Sequence, residues 1–563
     1  MRPLVSAMTT FRKSLLAALK SFLRGKSFLQ ALFAFWISPR KLKDHHVSAA
    51  TTRSLRTVAE FLKEAEKLLL SPIEGDRLRV FSANLKAQFR ERLQTHPECM
   101  LPSFNHLLPT GNEIGQYLAL DVGGSTLRVA LVQLRGREAE GRGCEIVRMI
   151  SFKITPEIKK LEGMAFFDWM AMRICDVIHK DGAANTEDPI PMGLAWSFPV
   201  EQVSLGGGLL MGMGKGFLAT NGLLGQDLGE ILKLACQKRG LNVQLASIIN
   251  DSTATLLSQA YTHTETRFGL ILGTGTNIAV HLPVSALSRF KYGARPESWF
   301  DSARHVIVNT ELGMFGHDIL PVTQWDALLN ASHPRPEFQP LEHFLSGYYL
   351  GEICRLAIIE AVETAGLLGG ELPPSLVAPY SLDTELLSRM EADNSSTLEK
   401  AMIAFTSAHP CPIPATPSDI AAIRTLASFI SRRSAALLGA AVFSLWELRH
   451  ETAVEEAYGE KKSAAGDEEE AEDLAAPPHT KVAFTGSVIE HYPGYLARCQ
   501  NHIAALVAGA ADPVLAAGSI VLVPAVESSI IGAAVALGCA LAEGQAAHVV
   551  SRGEGERGVY IPA

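Results

Sequence analysis

A chain of 563 residues is too long for one ordinary hydrophobic core, so at least two domains are expected. Its 51 Lys and Arg against 59 Asp and Glu leave a net charge of −8, which gives no reason to expect a nucleic-acid partner. The eight cysteines form neither a CxxC pair nor a Cys/His cluster at metal spacing, which argues for a reducing compartment and against structural zinc.

The N-terminus differs from the rest. Residues 1–43 carry no Asp or Glu, yet Arg2, Arg12, Lys13, Lys20, Arg24, Lys26, Arg40, Lys41 and Lys43 are basic. Leu15, Leu16, Leu19, Phe22 and Leu23 fall at helical spacing. Phe28 to Ile37 is apolar apart from Gln30, about half of the roughly 20 residues that a membrane-spanning helix needs. Residues 1–50 therefore read as a basic amphipathic extension of the mitochondrial-targeting or surface-anchoring kind. The expected location is cytoplasmic, in association with the mitochondrial outer membrane. The competing reading is a solvated basic tail.

Helices are expected over Leu55–Leu70 and Gly75–Leu93. Tyr117–Leu120 and Leu127–Leu134 read as buried strands, with Asp121-Val122-Gly123-Gly124-Ser125-Thr126 turning between them. This is no Walker-type loop, because no Gly-Lys-Ser/Thr and no helix follows the glycines. Gly123 and Gly124 let the backbone approach an anion, Ser125 and Thr126 add hydroxyl donors, and Asp121 is placed to hold a metal-bound water. A plain hairpin closed by an Asp is the other reading of the same residues.

Phe166–His179 reads as a helix, Leu194–Phe198 as a strand end, and Gly222–Lys238 as a helix stopped by Gly240. Val243–Ile249 is a strand, and a helix begins near Ser252. Asn250 and Asp251 thus stand at the C-terminal end of a strand, where open α/β sheets place ligands. Asp251 also suits an N-cap, and the two roles can coexist. Arg267–Leu272, the turn Gly273-Thr274-Gly275-Thr276-Asn277 and Ile278–Leu282 repeat the strand–glycine-turn–strand pattern around Asp121. A duplicated α/β unit with a cleft between the copies is the simplest account. Each copy would offer one phosphate-facing turn to a shared nucleotide.

Leu341–Glu363 and Ile420–Leu448 are long helical stretches, the second interrupted near Gly439. His450–Pro478 is rich in Glu, Ala, Lys and Asp and reads as a solvated, disordered loop. Lys481–Phe484 is a strand running into Thr485-Gly486-Ser487, and the last helix covers Ser528–Glu543.

In this order the motifs resemble the hexokinase family over roughly Leu101 to Gly544. Leu118 to Ser125 looks like its first phosphate motif. Ser197-Phe198-Pro199 and Lys215-Gly216-Phe217 look like its sugar motif, and Asn250-Asp251 like its catalytic segment. Gly273 to Asn277 looks like the second phosphate motif, and Gly486-Ser487-Val488 like the adenosine motif. Asn309-Thr310-Glu311 and Glu342, ahead of Ser346 to Glu352, look like the remaining sugar contacts.

The resemblance implies an α/β, actin-like ATPase (duplicated ribonuclease H-like) fold with small and large domains around a cleft. The implied small domain is 112–249 plus 529–545, and the large domain is 55–111 plus 250–528 with 450–478 as its loop. The implied activity is ATP-dependent phosphorylation of a hexose (glucose, fructose or mannose) at the 6-hydroxyl. By motif, Asp251 is the general base, and Ser197, Lys215, Asn250, Asn277, Glu311 and Glu342 hold the sugar. Asp121, Gly123, Gly124, Ser125, Thr126, Arg128, Gly273, Thr274, Gly275, Gly486 and Ser487 face ATP. Mg2+ enters with the nucleotide, with Asp121 reaching it through water, rather than through a metal site of the protein's own.

Five departures from the family pattern stand out. Thr126 replaces an amide, and Gly214 replaces the hydroxyl residue before the sugar-site lysine. Leu312 replaces a Trp beside Glu311, His317 intrudes after Phe315-Gly316, and Ser528 to Gly532 replaces a more glycine-rich turn. These departures imply weakened catalysis. The alternative they raise is a non-catalytic, sugar-binding regulator of carbon-source response, similar to the divergent hexokinase-like proteins of filamentous fungi. A hydroxyl restored at Gly214 is expected to tighten glucose binding unless the turn there needs positive φ.

Overall fold

Two sheets organise the chain, and both follow one plan. The computed structural model describes residues 56–138, 143–178, 189–214, 216–461 and 478–553. The basic N-terminal extension and Lys215 lie outside the described residues. The chain from Val58 onward packs as a unit of its own.

The first sheet contains β1 (Ile114–Val122), β2 (Thr126–Arg135), β3 (Cys144–Lys153), β4 (Ile190–Trp196) and β5 (Val243–Ile249), in the order β3-β2-β1-β4-β5. The second contains β6 (Thr266–Leu272), β7 (Thr276–Pro283), β8 (His305–Asn309), β9 (His479–Thr485) and β10 (Ser519–Pro524), in the order β8-β7-β6-β9-β10. A two-residue strand, Leu101–Pro102, adds to the outer edge of β8. In each sheet the first three strands are antiparallel and the last two join in parallel. Position by position the two sheets correspond, so the duplication inferred from two glycine-rich turns extends to five strands. The C-terminal halves of the central parallel strands β1 and β4 are near-continuous buried runs because both of their faces are covered there.

Eleven helices matter to the site and its frame. They are α1 (Val58–Leu70), α2 (Asp76–Thr95), α3 (Met164–Ile178), α4 (Leu228–Gln237), α5 (Asp251–Ala260) and α6 (Pro340–Leu345). The others are α7 (Gly347–Ala365), α8 (Pro417–Lys461), α9 (Ser487–His491), α10 (Tyr495–Ala508) and α11 (Ser528–Gly553). α11 lies on β1, β4 and β5, α5 lies on β6, β7 and β9, and the two helices pack on each other. Ala119, Ala195, Ala254, Leu257, Ile530, Ala533 and Ala534 are buried together in this layer. Small side chains let helix and strand backbones approach. At Gly269 on β6 a Cβ would stand 2.1 Å from the Ser252 carbonyl oxygen, so only glycine fits under the first turn of α5.

Several elements differ from the sequence reading, each for a physical reason. α4 begins at Leu228 rather than Gly222, because Asp227 caps it and accepts from the Glu230 amide. Ser346 divides Leu341–Glu363 into α6 and α7. α8 runs unbroken through Gly439 and on to Lys461, into the stretch expected to be a loop. Gly439 is a packing residue there, since a Cβ would lie 3.2 Å from the Cys499 carbonyl oxygen on α10. Beyond it, Glu451 meets Lys86 at 2.6 Å and Arg90 at 2.8 Å, and Glu455 meets Arg90 at 2.9 Å, so acidic α8 docks on basic α2. The remaining acidic residues, 462–477, lie outside the described residues.

Candidate active site

The first turn is a closed hairpin. The Gly123 amide donates to the Thr126 carbonyl at 3.0 Å, and Ser125 accepts from the Ile154 amide at 2.8 Å. Asp121 and Arg128 are cross-strand partners. Arg128 donates from Nε at 2.8 Å and approaches from Nη2 at 2.6 Å, both to Asp121 Oδ2. Its Nη1 donates to Glu527 Oε2 at 2.6 Å. Burial raises the Asp121 pKa, and Arg128 pulls it back only in part. Nothing in the sequence pattern pointed to Glu527, which lies just before α11. Ser197 follows β4 and donates its amide to Val122 at 3.1 Å, which sets it beside this hairpin.

Asn250 and Asp251 form the junction of β5 and α5. The cap is Asn250 rather than Asp251. Asn250 Oδ1 accepts from the Thr253 amide at 2.8 Å, and Asp251 is the first helical residue, its Oδ1 accepting from Ser252. Among the described residues, Asn250 Nδ2 is buried without a hydrogen-bond partner. A buried donor left unmade is costly, so this amide points to an acceptor supplied by a ligand.

A hydrogen-bonded line leads across the same region. Asn277 Nδ2 donates to Asn309 Oδ1 at 2.7 Å, and Asn309 Nδ2 donates to Glu311 Oε1 at 2.7 Å. Asn277 Oδ1 accepts from the Ile278 amide at 2.8 Å. Glu311 sits in the left-handed region at φ 51°. Burial raises its carboxyl pKa, the Asn309 hydrogen bond opposes this, and the nearby Asp251 charge adds to it. Asp251 and Glu311 are thus electrostatic neighbours. Asn309 was within a quoted motif, yet its part as the link between Asn277 and Glu311 emerges only in three dimensions.

The second turn is built from three chain segments. The Gly273 amide donates to Gly275 at 3.0 Å, and the amides of Gly347 and Tyr348 donate to Gly273 and Thr274 at 2.8 and 3.3 Å. The Glu342 carboxylate on α6 lies 3.5 Å from where a Gly275 Cβ would stand. Ser487 N lies 3.4 Å from the corresponding Gly273 position. Gly486 has φ 131°, and a Cβ there would fall 2.3 Å from the Leu272 carbonyl oxygen, so a side chain would push Ser487 off the turn. Gly273, Thr274, Gly275, Gly486 and Ser487 are therefore one surface. Backbone and hydroxyl groups without bulk suit a polyphosphate. Among the described residues, no group of three or more His, Cys, Asp or Glu is placed to hold a metal ion.

The departures also have places. Gly214 has φ 63°, and no atom lies within 4 Å of a Cβ built on it, so conformation rather than space calls for glycine. Leu312 is buried, and its amide donates to Asn277 Oδ1 at 3.3 Å. His317 offers its carbonyl to Gln88 Nε2 at 2.7 Å, while Gln88 Oε1 accepts from Gly316 at 2.9 Å, so α2 pins that loop.

Two sheets of one topology, each with a glycine-rich hairpin between two of its antiparallel strands, define an actin-like ATPase fold. Two family models, each described as Hexokinase, match the chain, one over residues 64–261 and the other over 267–539. The chain is 30% identical to Hexokinase-2 of Candida albicans over 442 residues, 77% of this chain and 83% of that protein. It is 35% identical to Hexokinase-1 of Nicotiana tabacum over 303 residues, a match that spans 53% of this chain and 59% of the tobacco protein. Among solved structures, hexokinase from Schistosoma mansoni complexed with glucose aligns with a TM-score of 0.68 at 26% identity. That alignment covers 86% of this chain and all of the Schistosoma chain. The chain belongs to the hexokinase family.

Proposed function

We propose that this protein is an ATP-dependent hexokinase that phosphorylates a hexose such as glucose at its 6-hydroxyl. The observation that carries the reading is the junction of β5 and α5. There the Asp251 carboxylate stands beside half-buried Glu311 and Asn250 Nδ2, a buried donor with no hydrogen-bond partner among the described residues. A hexose offers hydroxyls that both donate and accept, which matches carboxylates and amides set side by side.

In this reading Glu311 and Glu342 accept from sugar hydroxyls, and Asn250 Nδ2 donates to one. The Asn277–Asn309–Glu311 line fixes the Glu311 carboxylate, so little order is lost on binding. Asp251 accepts the proton of the 6-hydroxyl and orients its oxygen for attack. ATP bound with Mg2+ supplies the phosphoryl group and part of the charge that balances it. Ser125, Thr274 and Ser487 would line the phosphates, and Asp121, held by Arg128 across the hairpin, would hold the magnesium through water.

The test is a coupled assay for hexose 6-phosphate with the purified chain, run with glucose, fructose and mannose beside calorimetric titration of each sugar. Product formation is expected. Glucose binding without product would favour a sugar-binding regulator, and neither binding nor product would refute a sugar site at Asp251.

A further inference from the structure

A cavity of about 240 Å³ lies where α1 and α10 both pack on α8, and none of the residues on its wall belongs to the site at Asp251. Leu70, at the end of α1, and Ile73, in the turn after it, are its apolar part. Arg432 from α8 and Arg498, Asn501 and His502 from α10 are its polar part. Glu74 is the one carboxylate on the wall, and it is exposed.

The two arginines have no carboxylate paired to them. Among the described residues, neither Arg432 nor Arg498 enters an ion pair. Arg498 Nη2 donates to the Pro493 carbonyl at 2.7 Å and to Ser431 Oγ at 3.4 Å. Its Nε is buried and has no hydrogen-bond partner among the described residues. Glu391 feels the Arg498 charge, but its Oε1 is already taken by the hydroxyls of Tyr492 at 2.6 Å and Ser431 at 3.2 Å. Burial lowers the His502 pKa, and the Arg432 charge lowers it further, so these two side chains are electrostatic neighbours. An anion beside them relieves both, because it neutralises Arg432 and favours the protonated imidazole.

We propose that this cavity is an anion site that takes a phosphate group. The proposal goes beyond the kinase reading and does not depend on it. Guanidinium groups match phosphate and carboxylate oxygens alike. What favours phosphate is the spread of donors over two helices, since a tetrahedral anion takes hydrogen bonds from several directions and a carboxylate takes them near one plane. Two guanidinium charges also match the charge of about −1.5 to −2 that a phosphate monoester carries at pH 7. The ligand is small, because drug-sized molecules need roughly 300–1,000 Å³. Inorganic phosphate and a short monoester such as glycerol 3-phosphate share this chemistry.

The test titrates the full chain calorimetrically with inorganic phosphate, glycerol 3-phosphate and citrate, with ADP present to fill the second glycine-rich turn. The parent should bind phosphate with a dissociation constant of about 1 mM or below. Arg432→Glu is the decisive variant, since Arg432 is exposed and has no side-chain hydrogen bond to lose among the described residues. Arg498 is less suited, because it also fixes the turn behind α9, whose first residue is Ser487. Arg432→Glu should melt like the parent and bind phosphate about tenfold more weakly or worse. Added phosphate should raise the melting temperature of the parent and leave that of the variant unchanged. Tighter binding of glycerol 3-phosphate assigns the site to a monoester, and equal binding assigns it to the phosphate group alone. A parent that binds no phosphate, or a folded variant with parental phosphate affinity, overturns the site. If Arg432→Glu does not fold, Arg432→Gln removes the charge alone, and parental affinity there overturns the site equally. Citrate bound more tightly than either phosphate overturns the choice of phosphate over carboxylate.

Discussion

Gly269→Ala tests whether packing far from the sugar sets the position of the catalytic base. Gly269 is an interior residue of β6 whose neighbours across the sheet are Ala279 and Ala483. An added Cβ would stand 2.1 Å from the Ser252 carbonyl oxygen, 2.4 Å from the Leu256 amide nitrogen and 2.9 Å from Leu256 Cβ. Two of these are helix backbone atoms, so no rotamer change relieves the clash. Close-packed interiors do not absorb such overlap, and α5 must move by about 1 Å to restore ordinary contact. Overpacking of this size costs roughly 1–3 kcal/mol, so the melting temperature should fall by several degrees. Ser252 follows Asp251 directly, and a misplacement of about 1 Å at a reacting group costs on the order of 100-fold in rate. The coupled assay and a melting curve on the same preparation give both numbers. A variant with parental kcat and parental melting would refute the close approach of α5 to β6. Lower melting with parental kcat would keep the packing but refute its transmission to Asp251.

Asp251→Ala should reduce phosphotransfer by about 100- to 10,000-fold while calorimetry still detects glucose, and undiminished turnover would remove Asp251 from the mechanism. Glu311→Gln should bind glucose more weakly yet be the more stable protein at neutral pH. Burial raises the Glu311 pKa above its ordinary 4.5. The folded chain therefore holds that proton more tightly than the unfolded one, and the parent loses stability as pH rises from 4.5 through the folded value. Melting curves across that range should show the gap between variant and parent widening with pH, and a constant gap would refute the assignment. Gly214→Thr should lower the melting temperature rather than tighten glucose binding, because a β-branched residue at φ 63° is strained. A well-folded Thr variant with stronger glucose titration would reverse that ranking. Deleting residues 1–43, basic and free of acid, should leave melting unchanged and release the protein from mitochondrial outer-membrane vesicles, and continued sedimentation with vesicles would place the anchor elsewhere.

The strands β1, β2, β4, β5, β6, β7 and β9 were legible as short apolar runs bounded by turn residues, and the two glycine-rich hairpins announced a repeat. In contrast, β3, β8 and β10 were not read as strands; β3, for one, alternates exposed and half-buried residues with no apolar run to mark it. Asn250 and Asp251 were legible as a strand end. Which of them caps α5 was not, because either side chain can serve and the choice depends on where the first helical turn begins. The Glu527 contact with Arg128 joins residues 399 positions apart, and no local pattern records such a pair. The linking role of Asn309, quoted only as part of a sugar motif, was hidden for a similar reason. Its neighbours Asn277 and Glu311 each read as ligands alone, and the hydrogen bond that makes one serve the other exists only once β7 and β8 pair. The length of α8 was hidden by composition. Glu and Lys suggested a solvated loop, while Lys86 and Arg90 on α2 supply the partners that dock it.

The late return of the chain to the first sheet has a consequence for synthesis. Ala119 and Ala195 are made before the whole second sheet, whereas Ile530, Ala533 and Ala534, which cover them, are made after it. Until α11 is released, the first sheet can form its hydrogen bonds but cannot close its inner face. The nascent chain therefore carries an uncovered apolar surface while the second sheet is being made, the condition under which large proteins call on chaperones. A ribosome that stops before Ser528 would leave that surface bare for good, however complete the second sheet behind it.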